Sequence, residues 1–303
     1  MSASTRMAAL FPGQGAQRVG MGAHLLRDSQ LARAAAVQVS ELLDLDLLRL
    51  MARGPEMDLA ATRVAQASLF VTSVAAYDLL LLEGEQPAAV AGHSVGELVA
   101  AWAAGALSLK EAARLVSVRG DLMSQAPAGA MVAITGLPRA EVAERVAEDP
   151  RLCVALHNGP LDIVVSGAVE AVHELKERLQ GLHCRASVLR TSHAFHSSHF
   201  EIAQARWLAA LSEASFSPPE LPMVMNIDGR VAVEAQDIRR GLGEILTAEV
   251  RWHDCMLTLY GLGVETFVEC GDSQNLCRLG RAGGGAWRSF HVRATRRQLG
   301  RAS

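Results

Sequence analysis

The 303-residue sequence predicts an α/β protein in which a small unit interrupts a larger one. Three features carry that expectation. Short apolar runs end in glycine-rich turns and feed long helical stretches, as strands feeding helices do. The middle of the chain changes to a β-α-β-β-α-β order, which is that of a ferredoxin-like unit. The larger α/β rhythm then resumes near Phe200.

The apolar run Met7 to Phe11 ends at Pro12-Gly13-Gln14-Gly15 and predicts a strand entering a tight loop. A helix is expected from about Gln66 to Leu82, apolar almost all round as a buried helix would be, with Gly84 stopping it. Ala88 to Gly92 forms the next strand. His93-Ser94-Val95-Gly96-Glu97 then turns into an alanine-rich helix ending at Gly105, and a further helix covers about Leu109 to Gln125. The interrupting unit has strands at Ala130–Gly136, Leu152–His157, Asp162–Ser166 and Cys184–Arg190, with helices at Pro138–Glu148 and Val169–Leu179. Glu265 to Glu269 is a late strand. The small unit is thus expected at 128–199 and the larger one in two pieces, 1–127 and 200–303. A substrate cleft is expected between them.

Half the residues are apolar and a fifth are charged, as in an ordinary globular enzyme. The net charge of −3 argues against a general nucleic-acid surface. Lys110 and Lys176 are the only lysines among 29 basic residues, which reads as coding bias in a GC-rich genome. The five cysteines, 153, 184, 255, 270 and 277, are odd in number and form no C-x-x-C pair. They are expected as buried thiols in a reducing compartment, neither metal ligands nor disulfides. The N-terminus lacks a charged stretch followed by a long apolar run, and no uninterrupted apolar run reaches ~18 residues. A cytoplasmic protein that does not span a membrane is expected, and the Met1 start suggests a discrete enzyme acting in trans.

Gly92-His93-Ser94-Val95-Gly96 fits G-x-S-x-G, and its position between a short apolar strand and a helix is that of a nucleophile elbow. Two glycines permit a sharp turn that pushes Ser94 outward. The Val95 N–H then lies at a helix N-terminus, where it can stabilise a developing oxyanion. A serine hydroxyl needs a base. His193, His196 and His199 cluster just after the small unit, and their spacing leaves the choice among them open. Arg119 sits on the apolar stripe of Leu115, Val116, Leu122 and Met123. A buried arginine keeps its charge and needs an anionic partner, either a protein carboxylate or a substrate carboxylate held by its two-pronged guanidinium.

Four segments occur in a recognisable order: Phe11-Pro12-Gly13-Gln14-Gly15-Ala16-Gln17, Gly92 to Glu97, Val118-Arg119-Gly120 and His193-Ala194-Phe195-His196. In that order the chain resembles malonyl-CoA:acyl carrier protein transacylases and the acyltransferase domains of modular polyketide synthases, over about residues 7 to 270. The resemblance implies an α/β-hydrolase-like large subdomain with a ferredoxin-like insert. It implies Ser94 as nucleophile and His196 as base, the backbone N–H groups of Gln14 and Val95 as oxyanion hole, Arg119 as the clamp on the free malonyl carboxylate, and His93 lining the acyl pocket. It also implies a base oriented by backbone carbonyls with no triad acid. The His-Ala-Phe-His motif accompanies malonyl rather than methylmalonyl substrates, and Phe195 is bulky where a C2 branch would sit.

The expected cycle is ping-pong, from malonyl-CoA through an acyl-serine to an acyl carrier protein, by a monomer with no metal or redox cofactor. An acyl hydrolase of the same fold and a non-catalytic carrier-docking protein are the rival readings. Three departures stand out: Ile245 where many relatives have glutamine before Glu249-Val250-Arg251-Trp252, Leu156 where asparagine is frequent, and Gly271-Asp272-Ser273 in place of Gly-Pro-Gly. The C-terminal stretch from Arg278 carries seven arginines and no acidic residue, which suggests a docking segment for an acidic carrier.

Overall fold

A computed structural model describes residues 6–280 and 286–290. Strand β1 (Met7–Phe11) is buried along its whole length. Helices α1 (Ala23–Asp28), α2 (Gln30–Leu43), α3 (Leu47–Arg53) and α4 (Glu56–Ala60) follow, none of them anticipated from the sequence. Polar caps fix the starts of α2 and α3: the Ser29 hydroxyl accepts the Ala32 N–H and the Asp46 carboxylate accepts the Arg49 N–H. Helix α5 (Thr62–Leu82) starts one turn before the expected position, and every residue from Val64 to Tyr77 is buried. By length and composition it could cross a bilayer, but here it is enclosed in the protein core.

Strand β2 (Ala89–Gly92) leads through the Ser94 turn into α6 (Gly96–Ala103) and then α7 (Leu109–Ser124). Next come β3 (Ala130–Thr135), α8 (Arg139–Ala147), β4 (Leu152–Gly159), β5 (Asp162–Gly167), α9 (Val169–Arg178) and β6 (Arg185–Val188). These strands form an antiparallel sheet in the order β4-β5-β3-β6. Alternation along β3 serves two cores. Ala130, Val132 and Ile134 join the cluster under α8 and α9, while Met131 on the opposite face joins the main core. β6 is shorter than the sequence suggested, because Leu189 to Arg190 lead back toward the larger unit. There Phe195 packs into the main core.

After a 3₁₀ turn at Ser198–Phe200 the chain forms α10 (Glu201–Glu213), β7 (Met223–Val224), β8 (Val231–Ala232), α11 (Ala235–Glu244), α12 (Trp252–Gly261), β9 (Thr266–Cys270), α13 (Asn275–Gly280) and β10 (Ala286–Phe290). The main sheet runs β10-β9-β1-β2-β7-β8, parallel except at β7–β8. The Ser94 turn therefore lies at the C-terminal end of a central parallel strand, where open α/β sheets place ligands. Of the C-terminal arginines, Arg281, Arg293, Arg296, Arg297 and Arg301 lie outside the described residues.

Two connections join the units. Ala128 and His193 pair as an antiparallel bridge, and the Gly129 N–H donates to Ser192 O at 3.1 Å, so entry and exit run side by side. A second seam lies opposite. The His157 N–H donates to Val250 O (2.9 Å), and the Val250 N–H donates to Ala155 O (2.8 Å). Beside it Arg139 forks onto Glu249, with contacts of 2.8 and 2.6 Å.

Candidate active site

The serine turn is forced by its neighbours. A Cβ on Gly92 would lie 2.0 Å from the Gly96 carbonyl carbon, and one on Gly96 would lie 2.3 Å from Phe11 O. Ser94 itself has φ 55°, a left-handed conformation that a side-chain-bearing residue rarely adopts. In this turn its hydroxyl lies 2.9 Å from His196 Nε2.

His196 also has positive φ, 60°, and is buried. Its Nδ1 lies 2.7 Å from Ile245 O, which can only accept, so Nδ1 carries the proton and Nε2 is left to take the Ser94 hydroxyl proton. Burial lowers the imidazole to about 3, and the Arg119 charge pushes in the same direction. His196 is therefore a neutral base at physiological pH. The orienting group is a main-chain carbonyl, so isoleucine serves at 245 as well as glutamine would.

The other two histidines point elsewhere. His193 lies 3.3 Å from Pro127 O, and His199 sits in the 3₁₀ turn with its Nδ1 buried. The Cys153 Sγ approaches His196 O at 3.6 Å, but burial raises its thiol to about 11, so it stays protonated and is no rival nucleophile. Cys153 and Cys184 are half-buried rather than buried, and all five cysteines are free thiols.

Arg119 projects from α7 and is 2% exposed. One guanidinium nitrogen donates to Gln66 Oε1 at 2.8 Å and another to Ser94 Oγ at 3.1 Å. Among the described residues no carboxylate forms an ion pair with it. The nearest acidic influence is Glu97, fully buried, whose own carboxyl burial raises to about 8. Arg119, lowered by burial to about 10, stays charged while Glu97 is mostly neutral at pH 7. A buried cation beside a serine hydroxyl, with no ion-paired carboxylate among the described residues, can hold an anionic ligand.

A cavity of about 450 Å³ opens over these groups, with Gln14, Val95, His93 and Phe195 in its wall. Among the described residues neither the Gln14 N–H nor the Val95 N–H donates to a protein acceptor, so both are free to serve an oxyanion. His93 Nε2 donates to Asn158 Oδ1 at 3.0 Å, and its ring meets Trp252 edge-on. Phe195 stacks on Phe200 with ring centroids 5.7 Å apart, which fixes the bulk it presents to the cavity. Leu156 lines the same cavity. A second cavity of about 490 Å³ shares Gly15 and Gln17 with the first but reaches neither Ser94 nor His196. There Asp272, which stands where Gly-Pro-Gly has proline, accepts from Arg18 (2.9 Å) and from the Gly22 N–H (2.8 Å).

Sequence reasoning missed Gln66, Glu97, Asn158 and Asn226. Gln66 carried a usable signal, a lone amide within an apolar helix. Asn226, in a turn after β7, carried none. Among the described residues no three His, Cys, Asp or Glu side chains gather as a metal site would require.

The model of the acyl transferase domain family matches residues 9–271. The chain is 38% identical over 268 residues to the polyketide biosynthesis protein ThaF of Burkholderia thailandensis, covering 86% of this chain but only 23% of that protein. It is 34% identical to the malonyl CoA-acyl carrier protein transacylase of Bacillus subtilis, covering 91% of this chain and 89% of that enzyme. The crystal structure of malonyl-CoA:acyl carrier protein transacylase from Xanthomonas oryzae superposes with a TM-score of 0.90 at 33% identity, over 98% of both chains.

Proposed function

The chain belongs to the acyl transferase domain family, and from that premise we propose that it moves a malonyl group from coenzyme A to the phosphopantetheine thiol of an acyl carrier protein, in fatty acid or polyketide synthesis. His196 Nε2 takes the Ser94 proton as Oγ attacks the thioester carbonyl. The N–H groups of Gln14 and Val95 hold the oxyanion, the coenzyme A thiolate leaves with the proton from His196, and a malonyl-serine ester remains. The carrier thiol then gives its proton to His196, attacks the ester, and Ser94 leaves as the hydroxyl. The cycle calls for no metal or redox cofactor, coenzyme A entering only as the substrate's carrier. A monomer working in the cytoplasm suffices for it.

The observation that carries the malonyl reading is Arg119, buried, with no ion-paired carboxylate among the described residues, and 3.1 Å from Ser94 Oγ. A malonyl carboxylate is separated from the ester carbonyl by a single methylene, so esterification at Ser94 brings it to this guanidinium. A neutral acyl group would leave the buried cation uncompensated. The carboxylate also cancels the Arg119 charge that depresses His196, so the correct substrate strengthens its own base. Phe195 fills space beside the acyl group and favours malonyl over branched homologues.

Intact-mass analysis after mixing with a panel of acyl-CoAs tests the proposal. A malonyl adduct should form on wild type, be absent from Ser94→Ala, and discharge on adding holo carrier protein. Preference for a neutral acyl-CoA, or decay of the adduct in water as fast as with carrier, would overturn it.

A further inference from the structure

Ser94 and the carbonyl that orients its base belong to segments about 150 residues apart, and one residue touches the backbone of both. Asn226 is fully buried in the turn after β7. Its Oδ1 accepts the Ser94 N–H at 2.8 Å and its Nδ2 donates to Gly92 O at 2.7 Å. Its own N–H donates to Glu97 Oε1 at 2.7 Å, and its carbonyl accepts the Arg251 N–H at 2.9 Å. The amide orientation is fixed by chemistry, because Ser94 N–H can only donate and Gly92 O can only accept.

We infer that Asn226 is a positioning residue for the nucleophile: it closes the Ser94 turn from outside and ties it to the 245–251 segment whose Ile245 carbonyl holds His196. The turn needs such a brace. Ser94 is left-handed, a conformation kept only where its surroundings over-determine it. Gly92 O and the Ser94 N–H lie on the two peptide groups that lead into that strained residue, and the Asn226 amide bridges them as a peptide group would. The same residue reaches Arg251, next to Val250, which pairs with β4, so the elbow, the base-orienting segment and the inserted unit share one hydrogen-bonded frame. Apolar packing could fill the volume of Asn226 but could supply neither bond to the elbow backbone.

The inference rests on Ser94 being the nucleophile and not on malonyl being its substrate. The test therefore reads Ser94 reactivity twice, as inactivation by phenylmethanesulfonyl fluoride and as single-turnover release of coenzyme A from malonyl-CoA. Asn226→Ala should slow both on the order of 10- to 100-fold, the usual cost of a small misplacement of a reacting group, with KM for malonyl-CoA nearly unchanged. Asn226→Asp keeps the shape and covers the case in which the alanine variant fails to fold. Ionised, it turns an oxygen toward Gly92 O and should be slow. Protonated, its hydroxyl can donate to Gly92 O, so its rate relative to wild type should climb as pH falls from 8 to 5.5. Wild-type reactivity of folded Asn226→Ala, or of Asn226→Leu, which fills the volume without supplying either bond, or a loss confined to KM, would overturn the inference. Normal sulfonyl fluoride kinetics in wild type without any malonyl adduct would sink the malonyl reading and leave this one standing.

Discussion

The two halves of the reacting pair are held in different ways. On the serine side, Gly92, Ser94 and Gly96 act through their own identities: two residues without a Cβ and one hydroxyl, within five successive positions of the chain. On the histidine side the orienting group is Ile245 O, which any residue would supply, and its position depends on distant contacts. Val250 pairs with β4, Glu249 is gripped by Arg139, and Arg251 is held by Asn226. Chemistry carried by side chains has a sequence motif. Chemistry carried by backbone has a location, and its sequence is free to drift while that location is held.

That contrast can be broken most severely at the side chains. Replacing His196 with alanine should lower transfer by roughly 10²–10⁴-fold, the usual worth of a positioned base. His193→Ala and His199→Ala, whose side chains make no contact with Ser94, should cost under about tenfold on the same scale. Single-turnover acylation of the three variants decides it, and a larger loss at 193 or 199 would refute the assignment.

Arg119→Ala should shift the malonyl-to-acetyl ratio of kcat/KM toward acetyl on the order of 10- to 100-fold, since both the clamp and the penalty for an unpaired cation disappear. Lysine should restore only part of the preference, lacking the second prong. An unchanged ratio in Arg119→Ala would make this arginine structural.

The backbone side should yield more gently. Arg139 and Glu249 are 44% and 15% exposed at their side chains, and pairs open to solvent contribute about 0.2–1 kcal/mol. Glu249→Ala should therefore cut kcat by no more than about fivefold. The double variant Arg139→Glu with Glu249→Arg should recover most of the loss. Equal kcat losses in the single and double variants would show that the fork does not help to place the 245–250 segment.

The smallest effect expected is with pH. Burial holds His196 near 3, so its neutral, reactive form persists well below the ordinary imidazole range of about 6.5. The sign is that of a depressed pKa: protonation, and with it loss of activity, is displaced to more acid pH. The kcat/KM for acylation should vary less than about twofold between pH 8 and 5, where an unperturbed histidine would lose roughly 30-fold. An acid limb near 6.5 would show that His196 is solvated in the free enzyme.

The sequence alone determined the local features whose cause lies within a few residues. The elbow could be read because Gly92 and Gly96 have no room for a Cβ. The insert could be read because strand and helix periods alternate in the order of its fold, and Arg119 stood out as a charge on an apolar stripe. The family resemblance then chose His196 from three histidines, and in the fold its Nε2 lies 2.9 Å from Ser94 Oγ. Helices α1, α3 and α4 were missed because six, seven and five residues are too few to show a helical period, and the longer α2 was missed with them. Only the tertiary structure decided that no carboxylate among the described residues forms an ion pair with Arg119, that Gln66 shares its guanidinium, and that the Asn226 side chain bonds to the serine turn. Each of those depends on groups brought together from more than fifty residues apart, and hydrogen bonds at that separation leave no periodicity for a sequence to show.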